Sequence, residues 1–523
     1  MSNTLVKPVQ YTLITCAVLV VLLVAGVACR LLYVPPLQPW HTYIPVELTA
    51  AEMDKATWET YIDRENTLFA DVHREVSLKT PVSGKTSLNR YFEGSVVYPP
   101  HFKDNWNRSH LLVPENPQGA VVLLHGLTDS PYSMRHIARL YYQRGFVALA
   151  LRMPGHGTVP GGLTQIAWQD WMAATRLAVR EARKLSPQGT PLHLVGFSQG
   201  GALAVKYALD ALEDSSLSRP DRLVLISPMI GITRLSKLAE FMAIPSFLPG
   251  FEKAAWIGIM PEFNPFKFNS FPVNAVKQAR LLVAEMRRQV VQLDTSGRIH
   301  KLPPILAFQS IVDYTVSTPA LVNDLFSHLP NNGSELVLFD INRDTAFAPL
   351  VRPVFVNMAS MLLPELPQRY TTTLIGNSAG EPGAVERTAR PGDTDFTVRM
   401  LGLTYPPDVF SLSHISLPFP ENDSLYGSSP DPRTKDEFGV NFGLISHAQG
   451  ERGILEINTN LFFRISSNPL FPYLEKRMNG VIGASAAPPK ELKKSDAPYP
   501  QSKITEEEYR AIIKESDYSE TPF

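Results

Sequence analysis

Cysteine is scarce in this chain of 523 residues. Its only two cysteines, Cys16 and Cys29, both lie in an apolar stretch near the N-terminus. The remaining sequence therefore has no thiol for a disulfide framework, a cysteine-based zinc site or a cysteine nucleophile. Any nucleophile in the globular part must be another residue type.

An excess of charge of either sign is also missing. Lys and Arg number 49, Asp and Glu number 50, and the formal net charge is −1. A nucleic-acid partner usually requires a basic face, so we expect no nucleic-acid binding. The sequence shows no internal repeat. A hydrophobic content of 44% in a chain of this length allows a large buried core.

One long stretch lacks charge altogether, from Val9 to Cys29. Its length matches a hydrocarbon core of about 30 Å, which predicts a single-pass transmembrane anchor within residues 1–34 and the membrane as a partner. A cleaved signal peptide is the alternative, favoured by the small residues at 25–28. Lys7 and the amino terminus together slightly outweigh Arg30, which weakly favours placing the globular part on the non-cytoplasmic side.

Short apolar runs alternate with helical patterns in the middle of the chain. Runs of this kind are typical of buried strands, and strands that alternate with helices predict a parallel sheet with helices on both faces, an α/β fold. The predicted strands are 120–124, 146–151, 192–197, 222–227 and 305–310, and the predicted helices are 131–144, 164–185 and 199–213.

Breaks in this alternation suggest a division of the chain into segments. About 75 residues after Pro228 do not continue the pattern, and a second insertion covers roughly 341–400. After the anchor we predict a helical lead-in with first strands at 35–114, the first part of a core at 115–228, a cap insertion at 229–301, an acid-bearing core segment at 302–340, an insertion with a last strand at 341–482, and a flexible tail at 483–523.

The chemical signal is a G-x-S-x-G motif at residues 196–200. It follows a predicted strand and opens a predicted helix, which is the setting of a serine nucleophile on a sharp turn. The glycines are needed because side chains there would collide with the neighbouring strand and helix. Ser198 is therefore the candidate nucleophile.

A serine nucleophile needs a base and an orienting acid, which follow it in the order acid, then histidine. Asp313 stands just after the predicted strand 305–310, with Asp340 and Asp344 as rivals. Only three histidines follow Asp313. They are His328, which comes early in the topology, His414, which leaves an alternating strand-like pattern at 409–413, and His447, which has a similar but weaker setting. We predict Asp313 as the acid and His414 as the base.

Negative charge on a carbonyl oxygen under attack must meet backbone N–H groups. The amide of Gln199, directly after the nucleophile, and that of Leu127, after the first predicted strand, are the expected oxyanion donors. His125 and His156 lie upstream of Ser198. We interpret both as residues that shape loops beside the site.

Four segments together resemble the α/β-hydrolase superfamily, within it the lysophospholipases, monoacylglycerol lipases and carboxylesterases. They are Leu124–Pro131, Arg152–Gly157, Gly196–Gly200 and the Asp313 segment. The resemblance covers roughly residues 115–320. It implies hydrolysis of esters or thioesters through an acyl-serine intermediate, with no cofactor and no metal. The chain departs from the compact members downstream, because 101 residues separate Asp313 from His414.

The segment 241–251 is uncharged and contains three phenylalanines. It forms either a small core of the cap or a pocket for the acyl chain of a small-molecule or lipid ester, in which case Phe247 and Leu248 bind substrate. Two other functions remain open: a catalytically inactive membrane-tethered scaffold of the same fold, and acyl transfer to an alcohol by the same three residues.

Overall fold

The computed structural model describes residues 35–231, 250–445 and 464–484, and the single residues 11, 14, 15, 18, 26, 246, 507, 508 and 511. The strands are β1 His110–Leu112, β2 Gly119–Leu124, β3 Phe146–Leu151, β4 Leu192–Phe197, β5 Arg222–Ile226, β6 Trp256–Gly258, β7 Phe271–Pro272, β8 Ile305–Ser310, β9 Glu335–Phe339, β10 Thr371–Ser378, β11 Glu381–Ala389 and β12 Thr397–Thr404. The α-helices are α1 Pro39–Thr42, α2 Ala50–Lys55, α3 Trp58–Val72, α4 Arg135–Gln143, α5 Trp168–Lys184, α6 Gln199–Glu213, α7 Val273–Thr295, α8 Thr318–Asp324, α9 Pro353–Val356, α10 Met358–Leu362, α11 Phe442–Ile445 and α12 Phe471–Ala484.

Ten of the strands form one sheet in the order β1-β3-β2-β4-β5-β8-β9-β10-β11-β12. The run from β3 to β10 is parallel, and only β1, β11 and β12 pair antiparallel with their neighbours. The five strands predicted from apolar runs all lie in this sheet. A mostly parallel sheet with helices on both faces is the predicted α/β architecture.

Both faces of the sheet are covered, and the central strands are mostly apolar and buried. In β2, Val122 and Leu124 join one buried cluster, while Val121 and Leu123 join the other. Helices α5, α6 and α7 pack in the first cluster, and α4 and α12 pack in the second. A parallel sheet buried on both faces requires such continuous apolar runs.

The alternation of strands and helices does not stop after β5. The predicted cap 229–301 contains α7, a helix of 23 residues that forms the crossover from β5 to its parallel neighbour β8. Its buried residues recur every three or four positions, as at Ala279, Leu282, Met286 and Val290. The prediction that this whole region lies outside the core is therefore wrong.

The second predicted insertion also belongs largely to the sheet. Strands β10, β11 and β12 extend it beyond β9. The strand predicted at 409–413 is wrong, since those residues form a loop that follows β12. In this loop Leu412 is buried and Phe410 is exposed, without strand pairing.

The lead-in segment is fastened to the core by a buried arginine. Arg152, at the end of β3, pairs with Glu47 at 2.8 Å and with Glu65 of α3 at 3.0 Å. The Arg152 side chain is about 1% exposed. Glu47 also accepts the amide N–H of Gly155 at 2.7 Å. These pairs fix the loop after β3 and explain why α3 packs on the core.

No helix among the described residues has both the length and the apolar composition needed to cross a membrane. This contradicts the predicted single-pass membrane localisation, and with it the membrane as a partner. The longest of these helices, α7, carries charged residues such as Lys277 and Arg280 along its length. The apolar stretch on which the prediction depended, 9–29, lies outside the described residues apart from five single positions.

Candidate active site

Ser198 lies at the junction of β4 and α6 in an unusual backbone conformation, with φ 53° and ψ −116°. The chain can turn this sharply only because its neighbours lack side chains. A Cβ on Gly196 would lie 2.2 Å from the carbonyl oxygen of Gly200, and a Cβ on Gly200 would lie 1.9 Å from that of Leu124. The predicted glycine requirement is thus a backbone contact at both positions.

The structure brings Ser198, His414 and Asp313 together. Nε2 of His414 is 3.0 Å from Oγ of Ser198, and Nδ1 of His414 is 2.8 Å from Oδ2 of Asp313. All three residues are buried. With Nδ1–H donating to the carboxylate, Nε2 is free to accept the serine hydroxyl proton.

Asp313 is held in place by several donors. Oδ2 also accepts a hydrogen bond from Nε2 of Gln309 at 3.0 Å, and Oδ1 accepts the amides of Thr315 at 2.7 Å and Val316 at 3.0 Å. Burial alone raises the pKa of Asp313, but the charge and hydrogen bond of His414, together with these amides, lower it overall. The carboxylate therefore stays ionised beside the imidazole.

His414 reaches the site on a loop that runs back along the carboxyl ends of the strands. Oγ of Ser310, at the end of β8, donates to the carbonyl oxygen of Leu412 at 2.8 Å. Nδ2 of Asn342, after β9, donates to those of Pro406 and Val409 at 2.9 and 2.8 Å. These bonds bring the long segment after Asp313 back to the same edge of the sheet.

The rival residues have other partners. Asp340 pairs with Arg343 at 2.6 Å, and Asp344 accepts the amide of Gly380 at 3.0 Å. His328 pairs with Asp294 at 2.9 Å. His447 lies outside the described residues. Among the histidines in the described part of the chain, only His414 lies within hydrogen-bond distance of Oγ of Ser198.

The predicted oxyanion donors flank Ser198. Gln199 is the first residue of α6, where an amide has no partner within the helix. The loop of Leu127 touches the nucleophile, since a Cβ on Gly126 would lie 3.2 Å from Cβ of Ser198. Neither amide donates to another of the described residues. An amide beside the nucleophile that has no protein acceptor is what an oxyanion donor requires.

His125 braces this loop, as predicted. Its Nδ1 contacts the carbonyl oxygen of Gly126 at 2.9 Å, and its Nε2 accepts the amide of Met153 at 3.1 Å. Burial lowers the pKa of His125 to about 4, so the ring is neutral at pH 7. His156 packs against it, with ring centroids 5.1 Å apart.

The predicted substrate-binding residues Phe247 and Leu248 lie outside the described residues. In the described part of the segment after Pro228, Trp256 is buried and packs edge-on against His41 at 4.9 Å. Phe266 stacks on Tyr132 at 4.3 Å. These contacts fasten the segment to α1 and to the loop after β2.

A buried ion pair connects the loop of His414 to α4. Asp423 pairs with Arg135, accepts a hydrogen bond from the hydroxyl of Tyr132 at 2.9 Å and contacts Nε2 of His136 at 2.7 Å. Its side chain is fully buried. Burial and the charge of Arg135 lower the pKa of His136 to about 4. His136 is therefore neutral at pH 7, and the ion pair consists of Arg135 and Asp423.

We expect Asp423→Asn to destabilise the protein by roughly 3 kcal/mol at pH 7, because Arg135 is left buried without its counter-charge. The matched control is Asp431→Asn on the same loop, whose partner Arg433 has a side chain 87% exposed. Chemical denaturation measures both variants, and equal, small losses would contradict a stabilising role for Asp423.

The stability lost in Asp423→Asn should also depend on pH. Burial raises the pKa of Asp423, but Arg135 and the contact with His136 more than reverse this and hold it well below its usual range. A carboxyl whose folded pKa is depressed stabilises the fold fully above its unfolded pKa, about 4, and less as pH falls through the folded value. The difference between the protein and Asp423→Asn should therefore shrink below pH ~4.

Sequence reasoning missed Gln309, which supports the acid from within β8, and it gave no role to the amides of Thr315 and Val316. The position of Gln309 one residue before the end of a predicted strand was the available signal. Among the described residues no group of three or more His, Cys, Asp or Glu side chains could hold a metal ion.

Comparison with known proteins finds sequence similarity to hydrolases. Residues 121–377 match the alpha/beta hydrolase family. A thermostable monoacylglycerol lipase of Bacillus sp. (strain H-257) is 24% identical over 225 residues, which are 43% of this chain and 81% of that protein. The described architecture is the α/β-hydrolase fold, and the chain is similar to proteins of that family, among them a monoacylglycerol lipase.

Solved structures of similar proteins include lipolytic enzymes. One such structure comes from work on LipS and LipT, two metagenome-derived lipolytic enzymes. It matches with a TM-score of 0.33 and 23% identity, and the match covers 40% of this chain and 78% of that one. The monoacylglycerol lipase of Paleococcus ferrophilus matches with a TM-score of 0.31 and 20% identity, covering 42% and 83%.

Proposed function

We propose that this protein is a serine hydrolase that cleaves carboxylic esters through an acyl-Ser198 intermediate. The observation that carries the proposal is the continuous hydrogen-bonded chain from Ser198 through His414 to Asp313, with distances of 3.0 and 2.8 Å. A serine hydroxyl is unreactive at neutral pH unless a base removes its proton during attack. His414 is placed to do so.

In the proposed reaction, Oγ of Ser198 attacks the ester carbonyl carbon while Nε2 of His414 takes the hydroxyl proton. The resulting tetrahedral intermediate collapses, the C–O bond to the alcohol breaks, and His414 returns the proton to the departing alcohol. Water then attacks the acyl-serine with the same assistance and releases the acid. Asp313 keeps Nδ1 of His414 protonated and stabilises the imidazolium.

The amides of Leu127 and Gln199 are the proposed oxyanion donors. Each lies beside Ser198 and has no other acceptor among the described residues. Gln199 also lies at the N-terminus of α6, where the helix dipole favours negative charge. Preorganised donors of this kind contribute a large share of the catalysis of acyl transfer.

The substrate class is proposed from the relatives. The Bacillus protein is a monoacylglycerol lipase, which supports an ester of a fatty acid with a small alcohol. The proposed chemistry uses only side chains and backbone amides of this chain, and no cofactor.

Labelling with a neutral fluorophosphonate probe tests the proposal directly. Such a probe reacts only with a serine activated by a base, so we expect one adduct that peptide mass spectrometry places on Ser198. An inactive scaffold would stay unlabelled, and a probe on another serine would contradict the assignment. Product partition between water and an added alcohol then separates hydrolysis from acyl transfer.

A further inference from the structure

Two cationic side chains flank the candidate active site, and neither has a role in the proposed mechanism. Lys267 lies on the segment that follows β6. The next residue, Phe268, donates its amide to the carbonyl oxygen of Thr128 at 2.8 Å. Thr128 directly follows Leu127, so Lys267 is held against the loop of a proposed oxyanion donor.

Arg464 is fixed on the other side of the site. Its Nη2 donates to Oγ1 of Thr315 at 3.2 Å, and the Thr315 amide itself donates to Asp313. The carbonyl oxygen of the next residue, Ile465, accepts the hydroxyl of Ser413 at 2.6 Å. Arg464 is therefore tied to the loop of the acid and to the loop of the base at once.

The carboxylates nearby accept hydrogen bonds from groups other than these two cations. Asp313 receives His414, Gln309 and two backbone amides, and Oδ1 of Asp129 accepts the amide of Ser130 at 2.8 Å. In the part of the chain that the structure describes, no carboxylate lies within 4.0 Å of the Lys267 ammonium or the Arg464 guanidinium. Both side chains are half-buried, and their polar atoms remain accessible.

The two positive charges lie close enough to affect each other. Burial lowers the pKa of Lys267, the charge of Asp129 raises it, and the charge of Arg464 lowers it again. Burial likewise lowers the pKa of Arg464, while Asp313 raises it. The positive charge of Arg464 therefore disfavours the charged form of Lys267. A bound anion would relieve both the repulsion and the lost hydration.

We infer that Lys267 and Arg464 form an anion-binding pair that selects ester substrates carrying a carboxylate or phosphate group near the scissile bond. This inference rests on the proposed function, because it names the substrate class of the Ser198 site. The planar guanidinium of Arg464 suits the two oxygens of either group, and the ammonium of Lys267 adds a second charge-assisted hydrogen bond.

The anionic group could belong to the acyl part or to the alcohol part of the ester, and two pairs of substrates distinguish these sources. For the acyl part, mono-p-nitrophenyl adipate is compared with its neutral methyl ester. For the alcohol part, butyrylglycerol phosphate is compared with butyrylglycerol. In each pair the ratio of kcat/KM, charged over neutral, reports the contribution of the anion, while the neutral ester reports the Ser198 chemistry.

We expect a ratio of roughly 10 to 100 in one pair, the range given by a charge-assisted hydrogen bond. Lys267→Met and Arg464→Met should each lower it about tenfold or more, and Lys267→Arg and Arg464→Lys should restore most of it. Added salt should also lower the ratio. The exposed residues Lys301 and Arg288 supply matched controls, as Lys301→Met and Arg288→Met, which should leave the ratio unchanged.

Other outcomes would overturn the inference. Ratios near one in both pairs, with the neutral esters turned over, would remove the anion-binding pair and leave the proposed function standing. Equal losses with charged and neutral esters in the Lys267 and Arg464 variants would assign these cations to folding. No hydrolysis of any of the four esters would overturn both the inference and the proposed function.

Discussion

Replacing Ser198 with alanine is expected to abolish ester hydrolysis, lowering kcat/KM by roughly 10⁴-fold or more. The variant keeps the oxyanion donors and the histidine but has no atom to form the acyl intermediate. We expect the fold to survive, because alanine bears the same backbone strain as serine at φ 53°. Steady-state kinetics with p-nitrophenyl butyrate measure the loss, and thermal unfolding checks the fold.

The matched control is Ser216→Ala, an exposed serine in the turn after α6. It lies after the end of the helix that Ser198 begins, so its hydroxyl is remote from the site. Activity and stability should match those of the unchanged protein. A folded Ser198→Ala variant that retains most of its activity would show that another residue performs the chemistry.

The centre of the fold could be predicted because its strands and helices follow from residue patterns within short stretches of sequence. Five strands are short, mostly apolar runs, and the helices between them show helical periodicity. The nucleophile turn was predictable for a similar reason. Its glycines are required by contacts within a few residues of the motif or with the adjacent strand, as Gly200 is with Leu124.

The outer part of the sheet could not be predicted in the same way. Strand β12 is mostly exposed, and β10 begins with three threonines, so neither is a buried apolar run. Their place depends on pairing with strands that are already formed, which is a non-local interaction. Helix α7 has clear helical periodicity, but the sequence analysis assigns it to the predicted cap at 229–301. The reason is that the segment before it interrupts the alternation of strands and helices.

In the candidate site, too, some residues could be predicted from the sequence and others could not. The order of serine, acid and histidine along the chain, together with the predicted strand end before Asp313, favoured Ser198, Asp313 and His414, although the strand predicted before His414 is a loop. Lys267 and Arg464 gave no signal, since a single basic residue in a loop is most often a solvated surface charge. The hydrogen bonds of their neighbours to Thr128 and Ser413, and that of Arg464 itself to Thr315, place them beside the site.

A second large loss of kcat/KM is expected when the proposed base or acid is replaced. We expect His414→Ala to lower kcat/KM nearly as much as Ser198→Ala, because the two residues act as a unit. Asp313→Asn should also be severe, by about 10⁴-fold, since an amide that donates to Nδ1 favours the tautomer in which Nε2 carries the proton and cannot accept one from serine.

The controls for this experiment are the other two histidines that follow Asp313. His328 pairs with Asp294 and should tolerate alanine without loss of turnover. His447→Ala tests the rival base directly. Steady-state kinetics on a neutral ester, with circular dichroism to verify folding, compare all four variants. If His447→Ala inactivates a folded protein while His414→Ala leaves it active, then the 2.8 and 3.0 Å contacts of His414 are structural, and the base reaches Ser198 from the segment between residues 446 and 463.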